Sequence, residues 1–257
     1  MAGPRSGAVR RFTISPERIS GDRVVFDAAE TRHLVRVLRL HPGDLVIAAD
    51  GHGHAYRVRI LTLGATATGA IVGGASAAEE SALTISLVQG IPKGDQMEMV
   101  IRASTELGVA RILPALTERT VVRLDAARWR DRARRWQRVA REATKQCGRA
   151  VVPSVEAPQP LADWIAGNDP TDVRLCLWEG EGTPLRRLLE RLPPGPRRVS
   201  VIVGPEGGLT ADEVATARRA GYTPVTLGHR ILRTETAAVT IVALLQYALG
   251  DLGGDGQ

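Results

Sequence analysis

Two glycine-bearing loops, each entered from a short apolar run and left into a helical pattern, constrain this 257-residue chain more than any other feature. The first is Gly204-Pro205-Glu206-Gly207-Gly208, following Val199-Ser200-Val201-Ile202-Val203. The second runs from Leu227-Gly228 to Ile231-Leu232-Arg233-Thr234-Glu235-Thr236-Ala237, following a short run at Pro224–Leu227. Its β-branched content makes Val199–Val203 a buried strand, and Gly204-Pro205 cannot extend it. Thr210 and Glu213 supply a Thr-x-x-Glu box that starts a helix at Ala211, and Gly221 is a natural stop. Thr236–Leu249 reads as an apolar helix closed by Gly250, expected to be buried. Both loops therefore sit where strands end. In an open parallel α/β sheet that is where ligands collect, because loops and helix N-termini converge there with free backbone donors.

The loops lack the side chains of the commoner nucleotide and hydrolase sites. A phosphate loop needs Lys-Ser/Thr after its glycines, where this chain has Gly-Gly-Leu-Thr (207–210). Gly-Pro-Glu-Gly-Gly does not fit the dinucleotide spacing, and there is no Gly-x-Ser-x-Gly elbow. Spacing alone gives a small ligand held largely by backbone, with a plain tight turn as the alternative for Gly207 and Gly208.

The charge is uneven. The formal net charge is +6, yet the segment Arg119–Arg149 holds eleven Lys/Arg against Asp125, Asp131 and Glu142, and the rest of the chain is slightly acidic. Asp125–Gln146 contains neither Pro nor Gly and spaces Trp129, Trp136, Val139 and Ala143 as one face of an amphipathic helix. Its arginines then face outward, where a polyanion is their natural partner and a merely solvated surface the alternative. With 44% hydrophobic residues the chain can bury a full core. No run approaches eighteen uninterrupted apolar residues, and Met1–Gly7 carries no hydrophobic signal region, so a cytoplasmic protein without membrane contact is expected. Cys147 and Cys176 indicate neither a disulfide framework nor a zinc site.

Up to about residue 73 the texture differs. Val9–Ile14, Arg23–Asp27, Asp44–Ala49 and Ala55–Leu63 read as short strands, with Asp50–Gly53 a turn, and Asp27–Leu40 as a helix capped by Asp27 and Glu30. A small β-rich barrel is expected over residues 1–73, a linker over 74–82, and an α/β domain with a parallel sheet over 83–257. His52 and His54 read as residues of a plain turn and not as metal ligands; no metal is expected. His33 lies in the capped helix among Arg32, Arg36 and Arg39, whose spacing gives them one face.

Taken together, Gly204–Thr210 and Leu227-Gly-x-x-Ile-Leu-Arg-Thr-Glu-Thr-Ala237 resemble the RsmE family of bacterial ribosomal RNA methyltransferases, within the SPOUT superfamily. The likeness extends to Lys93–Glu98, Thr105–Val109, Glu118-Arg119-Thr120, Arg135-Trp136, Glu142-Ala143-x-x-Gln146-x-x-Arg149, Arg11-Phe12 and His33–Asp44, covering roughly residues 10–250 in order. The resemblance implies a PUA-like N-terminal RNA-binding barrel, a C-terminal domain with a deep trefoil knot, and a homodimer. It implies methyl transfer from S-adenosylmethionine to N3 of one uridine in small-subunit ribosomal RNA, free or in the assembled subunit. By position, Gly204, Pro205, Glu206, Gly207 and Gly208, with Leu227, Gly228, Ile231, Leu232 and Arg233, would hold the cofactor, and Leu177-Trp178 would complete the pocket. Arg10, Arg11, Arg32, His33, Arg36, Arg39, Lys93, Arg119, Arg135 and Arg149 are the expected RNA contacts.

The reaction asks for a group that stabilises charge on the uracil oxygens as N3 loses its proton. Arg233 is the first candidate; Glu206 and Glu235 are candidates for proton acceptor or for holding the cofactor. For Glu235 the plainer account is an acid favoured by the helix dipole. Two other functions fit the sequence: a noncatalytic RNA-binding assembly factor, and a related methyltransferase acting on ribose oxygen or another RNA.

Overall fold

The computed structural model describes residues 10–167, 170–192, 195 and 198–254. The chain divides into two compact units: one runs to Glu80 and takes in Thr144–Val152, the other comprises Ser81–Ala143 and the chain from Pro153 onward.

The first unit is a curled six-stranded sheet of β1 (Arg11–Thr13), β2 (Ile19–Ser20), β3 (Arg23–Val25), β4 (Leu45–Ala49), β5 (Ala55–Thr62) and β6 (Thr68–Gly74), in the order β1-β4-β5-β6-β3-β2. Only β1 and β4 run parallel. The ladder leaves β1 and β2 as edges, so the expected small β-rich barrel takes the form of an open, curled half-barrel. Alternation places Phe12, Val24, Val46, Ala48, Val58 and Ile60 inside, joined by Phe26 and Leu34. Val9, expected to begin the first strand, lies outside the described residues.

Asp27 caps α1 (Ala28–Arg32) by accepting from Glu30 N–H at 2.8 Å. Glu30 does not reciprocate: its carboxylate accepts from Lys145 Nζ at 2.9 Å and from Thr13 N–H at 3.4 Å. The helix then loosens into a π-helical turn over His33–Val37 and ends before Arg39, which adopts φ 50°. Pairing in β6 continues through Gly73-Gly74, and beyond it Ala75 N–H donates to Ala55 O and Ala78 N–H to Gly148 O. Much of the expected linker is thus tied to this unit.

In the second unit β7 (Thr84–Gly90), β8 (Arg111–Leu116), β9 (Ser154–Val155), β10 (Gln159–Pro160), β11 (Val173–Leu177), β12 (Thr183–Pro184), β13 (Arg198–Val203) and β14 (Thr223–Thr226) form a wholly parallel sheet. Its order is β10-β8-β7-β13-β11-β14-β12, with β9 beside β8. β13 is buried from Val199 to Val203, as a strand covered by helices on both faces must be. The helices are α2 (Gln96–Glu106), α3 (Ala126–Cys147), α4 (Leu161–Ala166), α5 (Leu185–Leu189), α6 (Ala211–Arg219) and α7 (Thr234–Leu249). Val88, Leu113, Cys176, Ile202, Val214 and Tyr222 belong to one core cluster, and Trp129 and Trp136 of α3 are buried.

The expected capping box is present on α6: Glu213 N–H donates to Thr210 Oγ1 at 3.2 Å, and Thr210 N–H donates to Glu213 Oε2 at 2.9 Å. α7 starts at Thr234, two residues early, and it is not buried all round. Ala238, Ile241, Val242 and Leu245 face inward, while Leu244 and Tyr247 are exposed, the latter at 70%.

Candidate cofactor site

Strands β11, β13 and β14 end side by side, and the segments that leave them surround a cavity of about 560 Å³. Leu177 and Trp178 follow from β11, Gly204–Glu206 and Gly208 from β13, and Leu227–Arg233 from β14. The first turn of α7 adds Thr234, Glu235 and Ala237. The volume falls within the usual range for small-molecule and cofactor sites, roughly 300–1,000 Å³.

Each wall has a local cause. Gly208 N–H donates to Pro205 O at 2.9 Å, closing a tight turn in which Gly208 takes φ 70°. That left-handed conformation is what calls for glycine at this position. Beneath the loop, Thr234 Oγ1 donates to Gly204 O at 2.6 Å and accepts from Gln89 Nε2 at 2.9 Å. Gln89 also donates to Gly90 O at 2.8 Å, and its side chain is fully buried. This hydrogen-bonded chain joins the central strand, the first glycine loop and the start of α7. On the opposite wall Trp178 is half-buried, with the Arg218 guanidinium 5.9 Å above its ring. Ile231 stands at the rim with 87% of its surface exposed.

Of the twelve residues expected at the cofactor, eleven line this cavity and Gly207 does not. Gly207 points away, against the Arg119 side chain, which donates to its carbonyl. Glu206 lines the cavity while its carboxylate accepts from Lys93 N–H at 2.7 Å, a bond that holds the loop. Arg233 and Glu235 line the cavity with no side-chain partner among the described residues. Glu179 extends the wall begun by Leu177 and Trp178, while Gln96, His229, Arg230 and Thr234 also line the cavity and were not expected there. Gln89 did leave a signal: it is a lone amide at the end of an apolar strand run.

The expected RNA contacts divide. Arg32, Arg36, Arg39 and Lys93 are exposed. Arg10 is exposed and donates to Leu38 O. Arg11 donates to Gly148 O and Ser76 O. His33 is half-buried, 3.9 Å from Glu30 Oε2 and packed near the Phe12 ring. Arg135 Nε pairs with Glu98 Oε1 at 2.6 Å. Arg149 is a correction: its side chain is buried and its fork is held by Glu80, at 3.1 Å from Nε and 2.7 Å from Nη2, so it braces the first unit instead of facing a partner.

Among the described residues no group of acids, histidines and cysteines could hold a metal ion, and no helix is long and apolar enough to cross a membrane. Cys176 is buried in β11, where burial, with Glu213 adding to it, pushes its thiol pKa up to about 12.

Residues 79–246 match the family model of the RNA methyltransferase domain and residues 26–66 that of the RNA methyltransferase PUA domain. A parallel sheet with a cofactor-sized cavity at its strand ends is therefore that of an RNA methyltransferase. More narrowly, the chain belongs to the ribosomal RNA small subunit methyltransferase E family. It is 34% identical to that enzyme of Synechocystis sp. over 93% of its own length and 78% of the relative's. It is equally identical, with a TM-score of 0.85, to the Neisseria gonorrhoeae enzyme solved bound to S-adenosyl methionine, covering 95% of this chain and 99% of that one. A Legionella pneumophila methyltransferase in complex with the same cofactor is 32% identical, with a TM-score of 0.88, over 96% of this chain and all of the other.

Proposed function

We propose that this chain transfers a methyl group from S-adenosylmethionine to N3 of a uridine in small-subunit ribosomal RNA. The observation that carries the reading is the cavity at the ends of β11, β13 and β14, lined by the loops of a family with cofactor-bound members. The residues present fit the cofactor: glycine turns bring backbone donors close, Leu177, Trp178 and Leu232 offer apolar contact, and the cavity is large enough. When bound, S-adenosylmethionine supplies an already activated methyl group, so the chain's task is orientation, exclusion of water and management of one proton.

In this reading the Arg233 guanidinium, without a partner among the described residues, meets the uracil oxygens as negative charge develops on them. Glu235, in the first turn of α7, is the better placed acceptor for the N3 proton, because Glu206 already accepts from Lys93 N–H. Ile231 and Leu232 close the rim against water. Residues 1–73 serve as an RNA-binding domain, supported by the outward Arg32, Arg36 and Arg39. The reading includes a homodimer, supported by the exposed Leu244 and Tyr247 of α7, and a knotted C-terminal chain, supported by a strand order in which the chain leaving β13 must pass β11 to reach β14.

The test is methyl transfer from labelled S-adenosylmethionine to small subunits from a strain lacking this gene, followed by nucleoside analysis. Label as 3-methyluridine, reduced at least 100-fold by Arg233→Ala on the scale of losing one preorganised charge-stabilising donor, is expected. Label on ribose or another base would replace the reading with a different methyl acceptor. Absence of cofactor binding would leave an RNA-binding assembly factor.

A further inference from the structure

Gly204, Pro205, Glu206, Gly208 and Leu209 line the cavity on the side of β11 and β14, and a loop with three glycines has little stiffness of its own. Whatever fixes it must act from the side of β7 and β8. The turn after β8 is constructed for this. Thr117 N–H donates to Thr120 Oγ1 at 2.9 Å, Thr120 N–H donates to Thr117 O at 3.1 Å, and the two hydroxyls lie 3.0 Å apart. Both threonines are buried, so the residues between them are held in place.

Those residues grip the loop at two points. Glu118 N–H donates to Glu213 Oε1 at 2.9 Å, while Glu213 Oε2 accepts from Thr210 N–H at 2.9 Å, so one carboxylate joins the β8 turn to the end of the loop. Arg119 donates through Nη1 to Gly207 O. Its stem lies against the same residue, since a Cβ on Gly207 would sit 3.3 Å from Arg119 Cβ and Cδ. Lys93 N–H holds Glu206 from the turn after β7.

We infer that Arg119 is a positioning residue of the cofactor loop, acting with the Glu118–Glu213 bridge, and that its guanidinium serves S-adenosylmethionine binding before it serves RNA. This deepens the proposed function and rests on it. The two roles separate cleanly: a brace on the loop governs cofactor affinity without RNA, whereas a phosphate contact leaves that affinity untouched and sets the salt dependence of RNA binding.

The experiment measures S-adenosylmethionine binding to the full chain by calorimetry without RNA, and steady-state kinetics on small subunits. It compares wild type, Arg119→Ala and Arg119→Met, the last keeping the stem on Gly207 but no donor. For Arg119→Ala, Kd and KM for the cofactor should rise roughly five- to tenfold, the scale of one partly exposed charge-assisted hydrogen bond. kcat at saturating cofactor and KM for the subunit should stay within twofold, and Arg119→Met should fall between wild type and Arg119→Ala. Cofactor affinity within twofold of wild type, with a raised KM for the subunit, would overturn the inference while leaving the methyltransferase intact. Failure of the wild type itself to bind S-adenosylmethionine would remove the reading on which it rests.

Discussion

Thr234→Val removes one hydroxyl and keeps the shape of the side chain, so it isolates the buried chain Gln89–Thr234–Gly204. The hydroxyl donates to Gly204 O at 2.6 Å and accepts from Gln89 Nε2 at 2.9 Å. After its loss Gly204 O keeps only a long contact of 3.5 Å to Gln89 Nε2, while Gln89 retains Gly90 O. A net hydrogen bond contributes about 1 kcal/mol, and stranding a buried carbonyl costs about 1–3 kcal/mol more, so the expected destabilisation is about 2–4 kcal/mol. Thr234→Ser keeps the hydroxyl and should lose about 1 kcal/mol or less, the worth of a methyl group. All four tryptophans, Trp129, Trp136, Trp164 and Trp178, lie in the second unit, so urea unfolding followed by tryptophan fluorescence reads that unit alone. A loss in Thr234→Val below about 0.5 kcal/mol, or an equal loss in Thr234→Ser, would refute the latch.

Two further outcomes follow from packing. A Cβ on Gly90 would lie 2.6 Å from Pro205 N and Cδ, so Gly90→Ala must push the first glycine loop away by most of an ångström. It should cost about 1–3 kcal/mol and lower turnover on small subunits by on the order of 100-fold; unchanged turnover would show that the two backbones are not in contact. Burial pushes the Cys176 thiol up to about 12, whereas Cys147 is only half-buried. At pH 8 an alkylating reagent followed by mass spectrometry should therefore modify Cys147 in the folded protein and Cys176 only in denaturant. Comparable rates at both would contradict the packing around β11.

The elements legible in the sequence were those whose local signals agree with one another. The capping box at Thr210 and Glu213, the β-branched run of β13 and the tryptophan spacing of α3 each specify their element without help from distant residues. The cavity was legible for a related reason: a loop can be placed at a strand end before the order of strands is known. What escaped was set by tertiary contact. Glu30 reads as half of a capping box, yet a half-buried lysine more than a hundred residues away claims its carboxylate. Asp27–Leu40 has helical periodicity throughout, but the chain loosens to a π-turn and stops at a left-handed Arg39. Nothing local in Gln89 tells that its amide will join three segments, because two of its acceptors come from residues more than a hundred positions on.

The same distinction governs the arginines. Between Arg119 and Arg149 the sequence shows a large basic excess, and every one of those residues counts equally in composition. In the folded chain they do not act equally on a polyanion. Arg149 is fixed to Glu80 in the interior, Arg135 to Glu98, Arg128 to Asp125 and Arg134 to Asp131. A phosphate approaching such a residue must compete with a carboxylate already in place, so little net charge is gained and few counterions are released. Arg32, Arg36 and Arg39 on the first unit, and Arg130, Arg138 and Arg141 along α3, are exposed without a carboxylate partner among the described residues. Composition therefore overstates the positive charge available to a polyanion, because it does not distinguish an unpaired arginine from one already held by a carboxylate.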